Sequence, residues 1–122
     1  MDSIGELGEK FVAQCLENKG WKILHHRWYC PWGEIDLIAY SQLLGDQIAF
    51  IEVKTRRKYN WDLNGLLAIT PSKQAKLWKT AATFLSQYPE LADHPCRFDV
   101  ALVTYTPGYQ FTLQEYLEAA FQ

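Results

Sequence analysis

Apolar residues recur every three or four positions from residue 4 to residue 18. Ile4, Leu7, Phe11, Cys15 and Leu16 form one stripe and Gly20 ends the run, so the segment is predicted to be an amphipathic helix. Gly8 falls inside the stripe, where it weakens the helix but lets another backbone come close. Glu9 lies at the edge of the stripe. The pattern then changes to strand-like runs over residues 21–27, 34–40 and 47–54. Pro31-Trp32-Gly33 and Gly45-Asp46 supply the turns between them. Connections this short make an antiparallel meander the simplest pairing.

Residues 57–69 show no period and read as a mobile loop carrying Tyr59 and Trp61. Thr70-Pro71 has the form of an N-cap followed by proline at the first helical position. The helix it opens is predicted to reach about residue 88, burying Leu77, Ala81, Phe84, Leu85 and Tyr88 before Pro89 stops it. Residues 97–104 form a fourth strand and residues 109–111 a short edge strand after the Pro107-Gly108 turn. Thr112-Leu113-Gln114-Glu115 resembles a capping box opening a last short helix. The expectation is a single α/β domain over residues 1–122, in the order α-β-β-β-α-β. Its core spans about 4–104, with a small β-α tail over 105–122.

Two of these strands carry the candidate chemistry. Side chains two apart on a strand share a face, so Glu34 aligns with Asp36, and Glu52 with Lys54. The opposite faces hold Ile35, Leu37 and Ala39 on one strand and Ala49, Ile51 and Val53 on the other. Ile38, Ile48 and Phe50 share the acidic faces, which are therefore partly covered. Carboxylates half-buried side by side repel, and a divalent cation offsets that cost. Hard oxygen ligands from Asp36 and Glu52, with water completing the shell, suit Mg²⁺ or Mn²⁺. Such an ion activates water and stabilises charge on a phosphate, and Lys54 is placed to assist. An exposed Glu52–Lys54 ion pair would stabilise the strand little. The company of Asp36 favours the metal reading. Glu34 reads equally as a further ligand or a solvated neighbour.

The net charge of −2 alters when the charges are placed along the chain. Residues 54–79 contain seven basic residues and one acid, a net +6, while the other five basic and thirteen acidic residues sum to −8. Segregation of this kind can make a surface that attracts phosphate. Arg56, Arg57 and Lys73 are candidates for backbone contacts, Lys73 lying near the positive end of a helix dipole. Three widely spaced cysteines without a C-x-x-C pair suit a reducing compartment. With no apolar stretch long enough to span a bilayer and no basic-then-apolar leader, a cytoplasmic protein is expected.

Gly8-Glu9, G-E-I-D-L-I at residues 33–38, F-I-E-V-K-T-R at residues 50–56, Lys73 and R-F-D-V at residues 97–100 together resemble the YraN-like family. These are small bacterial endonuclease-like proteins within the PD-(D/E)XK superfamily, which includes archaeal Holliday-junction resolvases. The resemblance covers residues 5 to about 104. It implies a restriction-endonuclease-like core with a central mixed sheet flanked by helices. It further implies a Mg²⁺- or Mn²⁺-dependent endonuclease acting on DNA, including branched or structured DNA. Asp36 and Glu52 would bind metal with support from Glu34, Lys54 would complete the catalytic set, and Glu9 would join it from the helix. Ile35 stands where the superfamily's name has proline. A nuclease-fold protein that binds nucleic acid or a repair partner without cutting is the alternative, and the likeness to resolvases allows a homodimer.

Other polar and aromatic residues receive plainer readings. Gln74 is expected to bond a backbone carbonyl rather than point toward the active site, and Asp99 to anchor the fourth strand rather than assist the site. Trp28, Trp32, Tyr59 and Trp61 could stack on unpaired bases, but pack more often in cores or interfaces. His25, His26, Cys30, His94 and Cys96 have no spacing that closes a zinc site.

Overall fold

The structure, a computed structural model, describes residues 2–58 and 69–121. Its elements are α1 (Ile4–Asn18), β1 (Lys22–Cys30), β2 (Gly33–Ser41), β3 (Gln47–Arg57), α2 (Pro71–Gln87), a 3₁₀ turn (Pro89–Leu91), β4 (Cys96–Thr106) and β5 (Gln110–Phe121). The loop expected over 57–69, with Tyr59 and Trp61, falls largely on residues 59–68, which lie outside the described residues.

Both helices begin as the sequence dictates. Ser3 accepts the Glu6 amide at the head of α1, and Thr70 accepts the Lys73 amide at the head of α2, with proline just inside. The strands form one mixed sheet in the order β1-β2-β3-β4-β5. β1, β2 and β3 are the expected antiparallel meander. The return through α2 makes β4 parallel to β3 over ten registered pairs, from Ile48↔Cys96 to Arg57↔Tyr105. β3 is thus covered on both faces, which explains its nearly continuous apolar run.

A helix packs on each face of the sheet. On one side Val12, Ala13 and Leu16 of α1 meet Leu37, Ala39, Ala49, Ile51, Val53, Ala101 and Val103. On the other, Leu77, Ala81 and Phe84 of α2 meet Ile38, Ile48, Phe50, Phe98 and Val100. The approach of α1 is close. A Cβ built at Gly8 would lie 2.1 Å from Thr55 Oγ1, so only glycine fits that turn of helix against β3.

Two expectations need correction. The capping-box segment at 112–115 is not a helix. It belongs to β5, which pairs antiparallel with β4 from Thr106↔Gln110 to Phe98↔Phe121. Phe111 and Leu113 alternate with exposed residues and pack with Tyr116 on the α1 side, and that tertiary burial overrides the local helix signal. Ile35 is also misplaced by simple alternation. It joins Ile38 in the α2-side cluster rather than Leu37 on the α1 side, because the regular β2–β3 ladder stops at Leu37↔Ile51, just short of it. Asp99 anchors the fourth strand as expected. Fully buried, it accepts hydrogen bonds from the Tyr116 hydroxyl at 2.6 Å and the Ala119 amide at 2.9 Å, across an irregularity that joins β5 to β4.

Gly8→Ala should destabilise the protein by roughly 1–3 kcal/mol, despite alanine's better helix propensity, because the new methyl overpacks against Thr55. Thermal denaturation of Gly8→Ala, Thr55→Ala and the double variant checks this. The double variant should recover much of the loss, since the nearest atom is gone.

Candidate active site

Where β2 leaves β3, the sheet opens. The two strands pair from Ser41↔Gln47 to Leu37↔Ile51 and no further. Beyond that point β2 stays with β1 through Trp28↔Ile35, Tyr29↔Glu34 and Cys30↔Gly33, while residues 52–57 stay with β4. Asp36 stands at the fork. Its Oδ2 accepts the Val53 amide at 2.8 Å, supplying with a side chain the acceptor that a continued ladder would have supplied. Its carboxyl also makes a side-chain hydrogen bond with Glu52 across the gap.

This arrangement is electrostatically costly. Burial, and then the hydrogen bond and charge of Glu52, push Asp36 from the ordinary 3.8 up to about 8, against the lowering effects of the Val53 amide and Lys54. A raised carboxyl pKa means that the folded chain holds a proton the unfolded chain has released. Stability is therefore lost progressively as pH rises from about 4 toward 8, and is complete below that window.

Glu52 and Lys54 also line an open pocket of about 230 Å³ on the α2 side. Trp32 and Gly33 form one wall; Ile69, Lys73, Lys76, Leu77 and Thr80 form the other. The β1–β2 turn rests directly on α2, since a Cβ at Gly33 would lie 3.1 Å from Thr80 Oγ1. Gln74, as expected, bonds a backbone carbonyl, donating to Ile69 O at 3.1 Å and tying the start of α2 to the segment before it. The pocket thus has a carboxylate pair at its edge and three lysines around it.

The sequence candidates divide cleanly. Asp36, Glu52, Lys54 and Lys73 converge here. Glu9 is 8% exposed, but its carboxylate is taken by Arg27, which donates to it through Nε at 2.8 Å and Nη2 at 3.1 Å. Glu34 is exposed, and its charge acts on Arg27. Arg56 folds onto the Thr55 carbonyl at 3.0 Å, and Arg57 is exposed at the end of β3. Among the described residues no group of three or more His, Cys, Asp or Glu side chains is arranged to hold a metal ion. His25 packs on Phe84 and Tyr88, and His94 on Tyr40, rather than around zinc. Sequence places Trp32 only among the aromatics that could stack on bases and Lys76 only within the basic segment, and ties neither to this site. The signal was present for Lys76, three residues after Lys73 on one helix face, and for Trp32, in the turn just before Glu34.

A divalent ion fits the donor set. Two carboxylates whose mutual repulsion keeps a proton between them offer hard oxygens, and Mg²⁺ commonly takes one or two carboxylates plus water and substrate phosphate. Among the described residues no helix is long and apolar enough to cross a membrane. Asp36→Asn should stabilise the metal-free protein at pH 8 on the order of 2 kcal/mol. Asparagine keeps an acceptor for the Val53 amide and carries no charge. Denaturant melts from pH 4 to pH 9 should show the gain shrinking toward zero at the acid end.

Comparison with known sequences agrees with the motif reading. The model of uncharacterised protein family UPF0102 matches residues 8–103. A UPF0102 protein of Trichodesmium erythraeum is 58% identical over 81% of this chain, which spans 60% of that protein's length. Others from Acaryochloris marina and a Nostoc species are 45% and 49% identical, over 97% and 98% of this chain and 89% and 94% of their own. Residues 8–103, which the family model matches, contain the fork in the sheet, the carboxylate pair and the lysines. The chain belongs to uncharacterised protein family UPF0102.

Proposed function

We propose that the protein is a Mg²⁺- or Mn²⁺-dependent endonuclease that hydrolyses phosphodiester bonds in DNA, branched or otherwise structured DNA included. The observation that carries this reading is the half-buried Asp36 carboxyl held against Glu52 beside Lys54, at the point where β2 and β3 part. A merely structural role needs one acceptor for the Val53 amide, and asparagine would fill it without a second carboxylate.

Asp36 and Glu52 would hold the ion, which supplies Lewis-acid stabilisation of the phosphate and a water that ionises near neutral pH. Lys54 shares a face with Glu52 and its charge reaches Asp36, so it neutralises charge that develops on the phosphate and orients the attacking water. Lys73 and Lys76 draw the backbone into the pocket, with Arg56 and Arg57 as further contacts beyond the end of β3. Glu9 acts through Arg27, fixing α1 to β1 beside the fork, and Glu34 supports the same pair electrostatically.

The test is cleavage of labelled single-stranded, duplex and four-way-junction DNA in Mg²⁺ or Mn²⁺. Asp36→Asn, Glu52→Gln and Lys54→Ala should each slow cutting by at least ~100-fold while remaining folded. Cutting that survives Asp36→Asn or Lys54→Ala would rule out this assignment. The engagement of Glu9 by Arg27 favours a second reading, a nuclease-fold protein that binds nucleic acid without cutting it. Calorimetric titration with Mn²⁺ separates the two. The nuclease reading requires a heat of binding that disappears in Asp36→Asn; the other requires none. Cutting both strands of a duplex or junction takes two such sites, so a homodimer is expected on those substrates, which sedimentation velocity with bound DNA checks.

A further inference from the structure

The aromatic side chain at the mouth of the pocket has no role in the chemistry above. Trp32 is 54% exposed, yet it is held in place. The next residue, Gly33, packs on α2, where an added Cβ would lie 3.1 Å from Thr80 Oγ1, so the turn rests against the helix. Lys79 sits over its ring, with Nζ 4.9 Å from the centroid. The other tryptophans given a side-chain environment are spent in packing. Trp28 meets Phe84 edge-on, Trp78 meets Phe98, and Trp21 is buried under Arg97. A large ring left open to water while its backbone and one cationic neighbour fix its position is preorganised for a flat partner.

The surroundings identify that partner. Trp32 lines the same pocket as Lys54, Lys73 and Lys76, with Lys79 one helical turn farther along α2. A row of ammonium groups beside an exposed indole matches a chain of phosphates carrying planar bases. In an intact duplex those bases are stacked on one another and present only their edges in the grooves. A ring at the rim can engage a base only where the base is unpaired. Cationic aromatic ligands would be repelled by the lysines, neutral ones would leave the ammonium groups without counter-charge, and at about 230 Å³ the pocket is smaller than the ~300 Å³ at which enclosed small-molecule sites begin.

We infer that Trp32 is a stacking platform for an unpaired nucleotide whose flanking phosphates lie along Lys54, Lys73, Lys76 and Lys79, so that the protein selects nucleic acid with a single-stranded segment at the site. The inference rests on the nucleic-acid half of the proposed function and does not need the cutting step. Binding is therefore measured in EDTA, by fluorescence anisotropy, with a labelled oligothymidylate and a blunt duplex of the same length.

Trp32→Ala should weaken oligothymidylate binding about tenfold and leave duplex binding unchanged, and Trp32→Phe should restore most of the loss. Trp32 being exposed, the melting temperature of both variants serves as the folding control. Equal affinities for oligothymidylate in Trp32→Ala and wild type, or an equal loss on both ligands, would overturn the inference while leaving the nuclease reading intact. If the wild type binds neither ligand, this inference and the nucleic-acid part of that reading fall together. Oligothymidylate binding that depends on Trp32, in a wild type that cuts nothing in Mn²⁺, supports the platform and removes only the nuclease.

Discussion

The fork between β2 and β3 is the constraint from which the site follows. A sheet that parts must leave backbone groups without ladder partners, and a buried amide left alone costs about 1–3 kcal/mol. Asp36 removes that cost at Val53 by accepting its N–H. Doing so with a carboxylate, in a half-buried position beside Glu52, introduces a larger cost that a neutral amide side chain would have avoided. The fold's need for an acceptor therefore explains why a polar residue stands at position 36, and leaves unexplained why it is an acid. Charge at that point is a property the chain keeps against its own stability, and such a choice is characteristic of functional sites.

The two helices hold the fork open from opposite faces by different means. α1 closes on β3 by having no side chain at Gly8 and on β1 through the Glu9–Arg27 ion pair. Arg27 adopts φ of 50°, a left-handed conformation unusual for a long side chain, next to the bulged stretch of β1. The pair is two-pronged and Glu9 is nearly buried, so it fixes the position of β1, and with it the end of β2 that leaves the ladder. α2 meets the same hairpin at Gly33 and Thr80. The open end of the hairpin is thus clamped between helices, which is how an irregular stretch of sheet can hold Asp36 in place against Glu52.

Much of this was legible in the sequence because period and punctuation agreed. Thr70-Pro71, the Gly33 turn and the alternating strands each carry a local cause that tertiary packing reinforces. The convergence of Asp36, Glu52 and Lys54 followed from strand adjacency alone. What failed was whatever depended on irregularity. In β5 the register slips at Leu102/Val103, so residues facing α1 step from Leu113 to Tyr116, a spacing of three that mimics a helix. The crossing of Ile35 to the α2 side follows from the end of the β2–β3 ladder, which no periodicity encodes. Glu9 was legible as a buried helix acid, but its partner was not, because nothing local ties position 9 to position 27.

The charge balance of the site bears on how it would load. Asp36 and Glu52 carry at most two negative charges, reduced by the proton that Asp36 retains below about pH 8, while Lys54, Lys73 and Lys76 surround the same pocket. A cation approaching the free protein meets that proton and three ammonium groups, so its affinity should be modest. A phosphodiester seated among the lysines cancels their repulsion and adds an oxygen ligand of its own. Each ligand then raises the affinity of the other by the same factor, as linkage requires. On this account the ion and the substrate enter as a coupled pair: the free protein binds the ion modestly through Asp36 and Glu52, and bound nucleic acid tightens that binding. The slightly acidic whole and the basic pocket are consistent with each other, because seven of the twelve basic residues fall within residues 54–79 and most of the acids fall outside them.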